Sequence, residues 1–136
     1  MCIRDRSRAL DAGCGSGFFS AFFVDEGLQT TALDYAQEAL DIAREKTNGK
    51  ADLVQSDLVH DRLSDQFSTK FDLIFSDGLL EHFPVKEQDA IIQNWMSVLA
   101  PDGVIVTFVP NRFSPWELIR PFYMPCLLYT SDAADE

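Results

Sequence analysis

Leu10-Asp11-Ala12-Gly13-Cys14-Gly15-Ser16-Gly17 is the stretch that decides the fold. Glycines at three alternate positions clear side chains from the backbone and permit the positive φ angles of a tight strand-to-helix turn. Arg8 to Asp11 reads as the end of a strand. After the turn, Phe18, Phe19, Phe22 and Phe23 recur with helical spacing and Gly27 supplies a stop. A helix starting there aims its first amides into the turn, a setting for phosphates, carboxylates or ribose oxygens. The four phenylalanines are expected against a sheet, with Phe18 near enough to the turn to touch a ligand.

The glycine spacing separates this turn from the dinucleotide fingerprint. There the glycines fall at positions one, three and six, and a pyrophosphate rests on the helix N-terminus. Here they are Gly13, Gly15 and Gly17, position six is Phe18, and Asp11 stands two residues ahead. The Asp11 charge repels a pyrophosphate and favours a cationic ligand.

At these residues the sequence resembles the class I S-adenosylmethionine-dependent methyltransferases, whose first motif is an acidic residue followed by Gly-x-Gly-x-Gly. Their cofactor, S-adenosyl-L-methionine, carries a sulfonium and an amino group and no phosphate. The resemblance implies that Asp11 and the backbone of Gly13, Cys14, Gly15 and Gly17 hold the methionine part.

Gln29 to Leu33 is a second short strand ending at Asp34, 17 residues after Gly17. Open α/β sheets bind ligands at such strand tips, and the ribose-binding acid is expected roughly 20 residues on. A carboxylate there accepts hydrogen bonds from both ribose hydroxyls; a helix cap is the alternative, since Ala36, Ala39, Leu40 and Ala43 open an amphipathic helix. The resemblance makes Asp34 the ribose acid and places Tyr35 on the adenine side. Ala51 to Gln55 forms a third strand with Asp57 at its tip. In the family an acid here meets the adenine amino group and the next backbone amide, that of Leu58, meets a ring nitrogen; a turn or cap aspartate is the other reading of Asp57. Residues 60–70 read as a loop with one helical turn, His60 simply solvated.

Phe71-Asp72-Leu73-Ile74-Phe75-Ser76 is an almost continuous apolar run, the mark of a central parallel strand covered on both faces. Ser76 ends it beside the cofactor site, and Leu79-Leu80-Glu81-His82 resembles the family segment that follows the fourth strand. His82 is either a general base for the acceptor, its ordinary pKa being about 6.5, or one half of a hydrogen-bonded pair with Glu81 that shapes the loop. One histidine among carboxylates lacks the ligand count of a zinc site, so no metal is expected. Lys86 to Leu99 is a helix with Ile91, Ile92, Trp95, Met96 and Leu99 as its apolar face; Ala100 to Gly103 is a turn and Val104 to Val109 a fifth strand. Ser114-Pro115-Trp116-Glu117 is a capping box for a short helix to Arg120. Phe113, Trp116, Phe122 and Tyr123 there read either as a substrate wall or as core.

The two ends carry a relation of their own. Cys126 to Ser131 is encodable as TGT CTC TTA TAC ACA TCT, whose reverse complement, read from its ATG, is ATG TGT ATA AGA GAC: Met1-Cys2-Ile3-Arg4-Asp5. This resembles the transposon-end adapter of sequencing libraries, which the tail through Glu136 also fits. Residues 1–6 and 126–136 are therefore expected to derive from the adapter, and residues 7–125 to form a partial methyltransferase domain. Setting aside Arg4, Asp5 and Arg6 at the head and Asp132, Asp135 and Glu136 at the tail takes the formal charge from −11 to −9.

That acidity argues against nucleic acid as a partner. Cys14 is the one cysteine left, which excludes an internal disulfide and points to a reducing, cytoplasmic setting. No apolar run approaches the about 20 residues of a membrane span. Alternating strands and helices imply an α/β parallel sheet with right-handed crossovers. The resemblance implies a Rossmann-like order 3-2-1-4-5 without the family's C-terminal strands, and a methyltransferase acting on a small-molecule acceptor. The rivals are an NAD(P)-dependent oxidoreductase and a cofactor-binding module without turnover.

Overall fold

A computed structural model describes residues 7–111. Both expected adapter segments and the helix expected from Ser114 to Arg120, with Phe113, Trp116, Phe122 and Tyr123, lie outside the described residues.

Five strands, β1 (Arg8–Ala12), β2 (Gln29–Asp34), β3 (Asp52–Gln55), β4 (Phe71–Asp77) and β5 (Leu99–Phe108), form one sheet in the order β3-β2-β1-β4-β5. Every pairing is parallel, with Leu10 opposite both Thr31 and Ile74. The order expected from the resemblance is the order observed. Parallel neighbours need crossovers, supplied here by α1 (Phe18–Asp25), α2 (Gln37–Lys46), the short α3 (Leu63–Gln66) and α4 (Val85–Val98). The strand order reverses between β1 and β4, which opens a crevice at the C-terminal ends of the strands.

Alternation along each strand sorts the core onto two faces. Leu10, Leu33 and Ile74 point toward Leu63, Ile91, Trp95 and Val98 of α3 and α4. Ala9 and Phe75 point the other way, toward Phe23, and Ala32 meets Leu40 and Ala43 of α2. No helix among the described residues is long and apolar enough to cross a membrane.

Three expectations change in detail. Of the four phenylalanines of α1, Phe23 is buried and Phe19 packs partly against Phe75, whereas Phe18 and Phe22 are 64% and 52% exposed. At about 100° per residue, positions 19 and 23 face the sheet and 18 and 22 fall on the next stripe. The same geometry narrows the buried face of α4 to Ile91, Trp95 and Val98, leaving Ile92 and Met96 outside. Residues 100–103 are not a separate turn. β5 begins at Leu99 opposite Phe71, and Leu73 is already opposite Val104, so the intervening chain is a large bulge within the strand.

Candidate functional site

The glycine turn is fastened to β2. Gly13 and Cys14 both donate their amides to the Leu33 carbonyl, at 2.8 and 3.0 Å, and Gly17 donates to the Cys14 carbonyl at 2.8 Å. Gly15 donates to Asp34 Oδ2 at 2.9 Å. The glycines answer to different neighbours. A Cβ at Gly13, φ +74°, would lie 2.8 Å from the Leu79 side chain; one at Gly17, φ +71°, would lie 2.6 Å from the Cα and Cβ of Ala43. The third glycine thus serves the packing of the turn on α2, a demand that the sequence reading did not include.

Beside the turn lies a cavity of about 310 Å³, lined by Gly13, Asp34, Tyr35, Ser56, Asp57, Leu58, Leu79 and Phe83. That is the lower end of the range for small-molecule sites, roughly 300–1,000 Å³. The crevice at the strand tips brings together five of the residues singled out from sequence: Gly13, Asp34, Tyr35, Asp57 and Leu58. Ser56, Leu79 and Phe83 were not singled out as site residues. Their signals were present, since Ser56 directly precedes the Asp57 strand tip, and Leu79 and Phe83 flank the Leu80-Glu81-His82 segment.

Asp34 is held at both oxygens. Its Oδ1 accepts the Ala36 amide at 2.9 Å, as its Oδ2 accepts that of Gly15. Each carboxylate oxygen keeps a second lone pair for a ligand hydroxyl. Asp34 therefore serves the start of α2 while its carboxylate remains on the cavity wall.

Asp11 sits beneath the turn and is not among the cavity-lining residues. It is 2% exposed and takes a 2.6 Å hydrogen bond from the Ser20 hydroxyl. Burial pushes its carboxyl up to about 6; the Ser20 bonds work against the rise, and the charges of Asp34 and Asp77 add to it. Three carboxylates thus converge on the tips of β1, β2 and β4. Cys14 is buried as well, its thiol pushed up to about 12 chiefly by burial and then by Asp11 and Asp34. Ser76 is fully buried and shares a 3.1 Å hydrogen bond with the Thr107 hydroxyl, tying β4 to β5. Phe18 lies outside the cavity, edge-on to Phe19 at 5.2 Å.

Asp57 lines the cavity with its carboxylate turned into its own loop. Oδ1 accepts the amides of Val59 and His60, at 2.9 and 3.2 Å, and Oδ2 meets His60 Nδ1 at 2.9 Å. Burial alone would raise the Asp57 carboxyl, but the bonds from the His60 ring and the two amides outweigh it and hold the carboxyl below its ordinary range. His60, expected to be merely solvated, is exposed but paired, and the bond to Asp57 raises its pKa above the usual value.

Glu81 and His82 lie in a single 3₁₀ turn, Leu80–His82, and both are exposed. Among the described residues neither side chain makes a hydrogen bond, so the pair expected between them is not formed. The His82 backbone is fixed by its amide donating to the Leu79 carbonyl at 3.2 Å. His82 is absent from the cavity wall that its neighbour Phe83 helps to build.

An all-parallel 3-2-1-4-5 sheet, a glycine turn on β1 and an acid at the tip of β2 define a Rossmann-like class of α/β domain, one that takes ligands at its strand tips. Residues 9–103 match the family described as "Methyltransferase domain", and the chain belongs to that family. It is 33% identical over 110 residues to a ubiquinone biosynthesis O-methyltransferase of Actinobacillus pleuropneumoniae, a match covering 77% of this chain and 46% of that protein. The chain spans less than half the length of the curated relatives it matches. Among solved structures, a TehB-like SAM-dependent methyltransferase from Corynebacterium glutamicum superposes with a TM-score of 0.72 at 25% identity, covering 98% of this chain and 67% of that one. An S-adenosylmethionine-dependent methyltransferase from Clostridium acetobutylicum gives a TM-score of 0.71 at 19% identity, covering 83% and 46%, a likeness of fold alone.

Proposed function

We propose that this chain carries the cofactor-binding part of an S-adenosylmethionine-dependent methyltransferase that acts on a small-molecule acceptor. The observation that carries the reading is the placement of Asp34. Its carboxylate stands on the cavity wall, locked to the glycine turn through Gly15 and with a lone pair of each oxygen still open. Such a group suits the two hydroxyls of a ribose. The surroundings suit a cation without phosphate: Asp11, Asp34 and Asp77 share one end of the sheet, where a pyrophosphate would be repelled. That charge weighs against an NAD(P)-dependent oxidoreductase.

In this reading Asp34 binds the ribose, while Tyr35, Asp57 and the Leu58 backbone meet the nucleobase. The turn of Gly13, Cys14 and Gly15 holds the amino-acid end, with Asp11 supplying negative charge from below. The bound cofactor supplies a methyl group already activated by its sulfonium. The protein's own part is to align the acceptor and exclude water, and Leu79 and Phe83 are the apolar walls suited to that. His82, exposed next to Phe83, is the side chain available to take the acceptor's proton. The acidic charge and the relatives' printed names support a small-molecule acceptor, and the single buried cysteine among the described residues supports a cytoplasmic setting.

Calorimetric titration with S-adenosylhomocysteine, with NADH as the comparison, tests the assignment. Micromolar or tighter binding of S-adenosylhomocysteine that disappears in Asp34→Ala is the expected result. A folded chain that takes NADH and ignores S-adenosylhomocysteine would overturn it.

A further inference from the structure

Asn94 lies about one turn before the end of α4 and outside the cavity, yet it makes three hydrogen bonds to a loop more than 30 residues distant in sequence. Its Nδ2 donates to the carbonyls of Leu58, at 3.1 Å, and Asp61, at 2.7 Å; its Oδ1 accepts the Leu63 amide at 2.9 Å. A carboxamide is the side chain that offers two donors and an acceptor at one position. The rest of the loop's polar bonding is largely its own. Asp61 Oδ2 accepts the Asp57 amide at 2.8 Å and the Ser56 hydroxyl at 3.1 Å, and Asp57 accepts from Val59 and His60. Among the described residues, Asn94 makes the side-chain hydrogen bonds that join α4 to this loop.

The other end of α4 holds a second part of the lining. Gln88 Nε2 donates to the Phe83 carbonyl at 2.8 Å, and Phe83 and Leu79 line the same cavity as Leu58. One helix therefore bonds two lining residues, Phe83 through Gln88 and Leu58 through Asn94. Leu58 and Leu63 are also packed in the core with Ile91 and Trp95, so apolar contact keeps the loop attached without Asn94. What the three directional bonds add is its exact height and tilt on the helix.

We infer that Asn94 is a positioning residue: by holding the Leu58 and Asp61 carbonyls to α4, it sets where Leu58 stands relative to Leu79 and Phe83 in the cavity lining, and so the fit of the nucleobase. The inference rests on the nucleoside reading of the cavity given above. It assigns Asn94 no contact with ligand.

The test uses Asn94→Ala and Asn94→Asp in the whole chain, with Phe23→Leu, on the far face of the sheet, as a variant that weakens packing alone. Affinities are measured for S-adenosylhomocysteine and for S-inosylhomocysteine, which differs at the exocyclic group of the base. Hydrogen exchange is followed at the Leu63 amide. Asn94→Ala is expected to weaken S-adenosylhomocysteine about tenfold, the loss of the net worth of one to two hydrogen bonds, to narrow its preference over the inosine compound, and to expose the Leu63 amide. Asn94→Asp keeps the acceptor for Leu63 and loses both donors, so it should keep that amide protected and still lose base preference. Phe23→Leu should lower stability and leave the preference intact. A wild-type chain that discriminates between the two compounds, with Asn94 variants that discriminate equally well, overturns this proposal alone. So does equal loss of preference in Phe23→Leu, or a wild type that binds both compounds alike. A wild-type chain that binds neither compound overturns the nucleoside reading, and the role of Asn94 with it.

Discussion

The Gly15 amide donates to Asp34 Oδ2 at 2.9 Å, and this bond ties the turn after β1 to the tip of β2. Its partner bond, from the Ala36 amide to Asp34 Oδ1 at 2.9 Å, ties the same carboxylate to the start of α2. One side chain thereby sets the mutual position of the glycine turn and the cavity wall. A ligand hydroxyl that adds to either oxygen meets an acceptor already aimed by the backbone, so little ordering remains to oppose binding.

Asp34→Asn puts this arrangement to a direct test. The amide has one oxygen, so it accepts from Gly15 or from Ala36, and its NH₂ group confronts the other donor. The expected outcome is a loss of about 1–3 kcal/mol in denaturant unfolding, together with a loss of about 100-fold in S-adenosylhomocysteine affinity from two weakened hydroxyl contacts. Unchanged affinity in a folded variant would remove Asp34 from the ligand site.

Gly15→Ala and Gly17→Ala should separate backbone strain from packing. Both positions have positive φ, +49° and +71°, which costs a residue with a Cβ about 1–2 kcal/mol. An added Cβ meets nothing within 4 Å at Gly15 but falls 2.6 Å from the backbone of Ala43 at Gly17. Overpacking there adds about 1–3 kcal/mol. Gly17→Ala should therefore be the more destabilising in urea unfolding, by about 1–3 kcal/mol; equal effects would mean that α2 yields freely.

Much of this arrangement is written locally. The apolar run of β4, the alternate glycines and the acids at strand tips each depend on a few neighbouring residues, and the strand order follows from the family the turn resembles. What is not local is harder to read. Which two of the four phenylalanines of α1 are buried depends on where around its axis the helix meets the sheet. Ser56, Leu79 and Phe83 enter the cavity because loops after β3 and β4 converge there, a path set by Leu58 and Leu80 packing into a shared core with Trp95. Asp11 and Ser76 sit in strands whose tips suggest exposure, yet neighbouring strands and the turn close over them. The partnering of His60 with Asp57 depends on a loop too short and polar to show periodicity.

That pair makes a spectroscopic prediction. The His60 pKa is raised first by its hydrogen bond to Asp57 and then by the Asp57 charge, with smaller contributions from Glu87 and Asp61. Proton NMR of the His60 ring should show a midpoint above 6.5, and Asp57→Asn should move it back toward that value. The stability the pair supplies is present below the ordinary histidine pKa and is lost as pH rises through the raised one. An unchanged His60 midpoint in Asp57→Asn would mean that the 2.9 Å contact is not held in solution.

Asp11 makes the opposite prediction from most structural carboxylates. Its folded-state pKa is about 6 against an ordinary 3.8, because burial disfavours the charged form. Between those two values the folded chain holds the proton more firmly than the unfolded chain, so the unfolding free energy falls as pH rises through that window and is level on either side. The difference in pKa corresponds to about 3 kcal/mol. Asn in place of Asp11 keeps an acceptor for Ser20 and has no charge to bury. Urea unfolding of the wild type and Asp11→Asn should therefore diverge between pH 4 and pH 6, the variant gaining about 3 kcal/mol relative to the wild type by pH 7. A gap that does not change with pH would show that Asp11 is not desolvated. The retained charge has a use if the ligand is cationic: S-adenosylmethionine should lose affinity relative to the uncharged thioether S-adenosylhomocysteine as pH falls below 6, and Asp11→Asn should abolish that pH dependence while its stability rises.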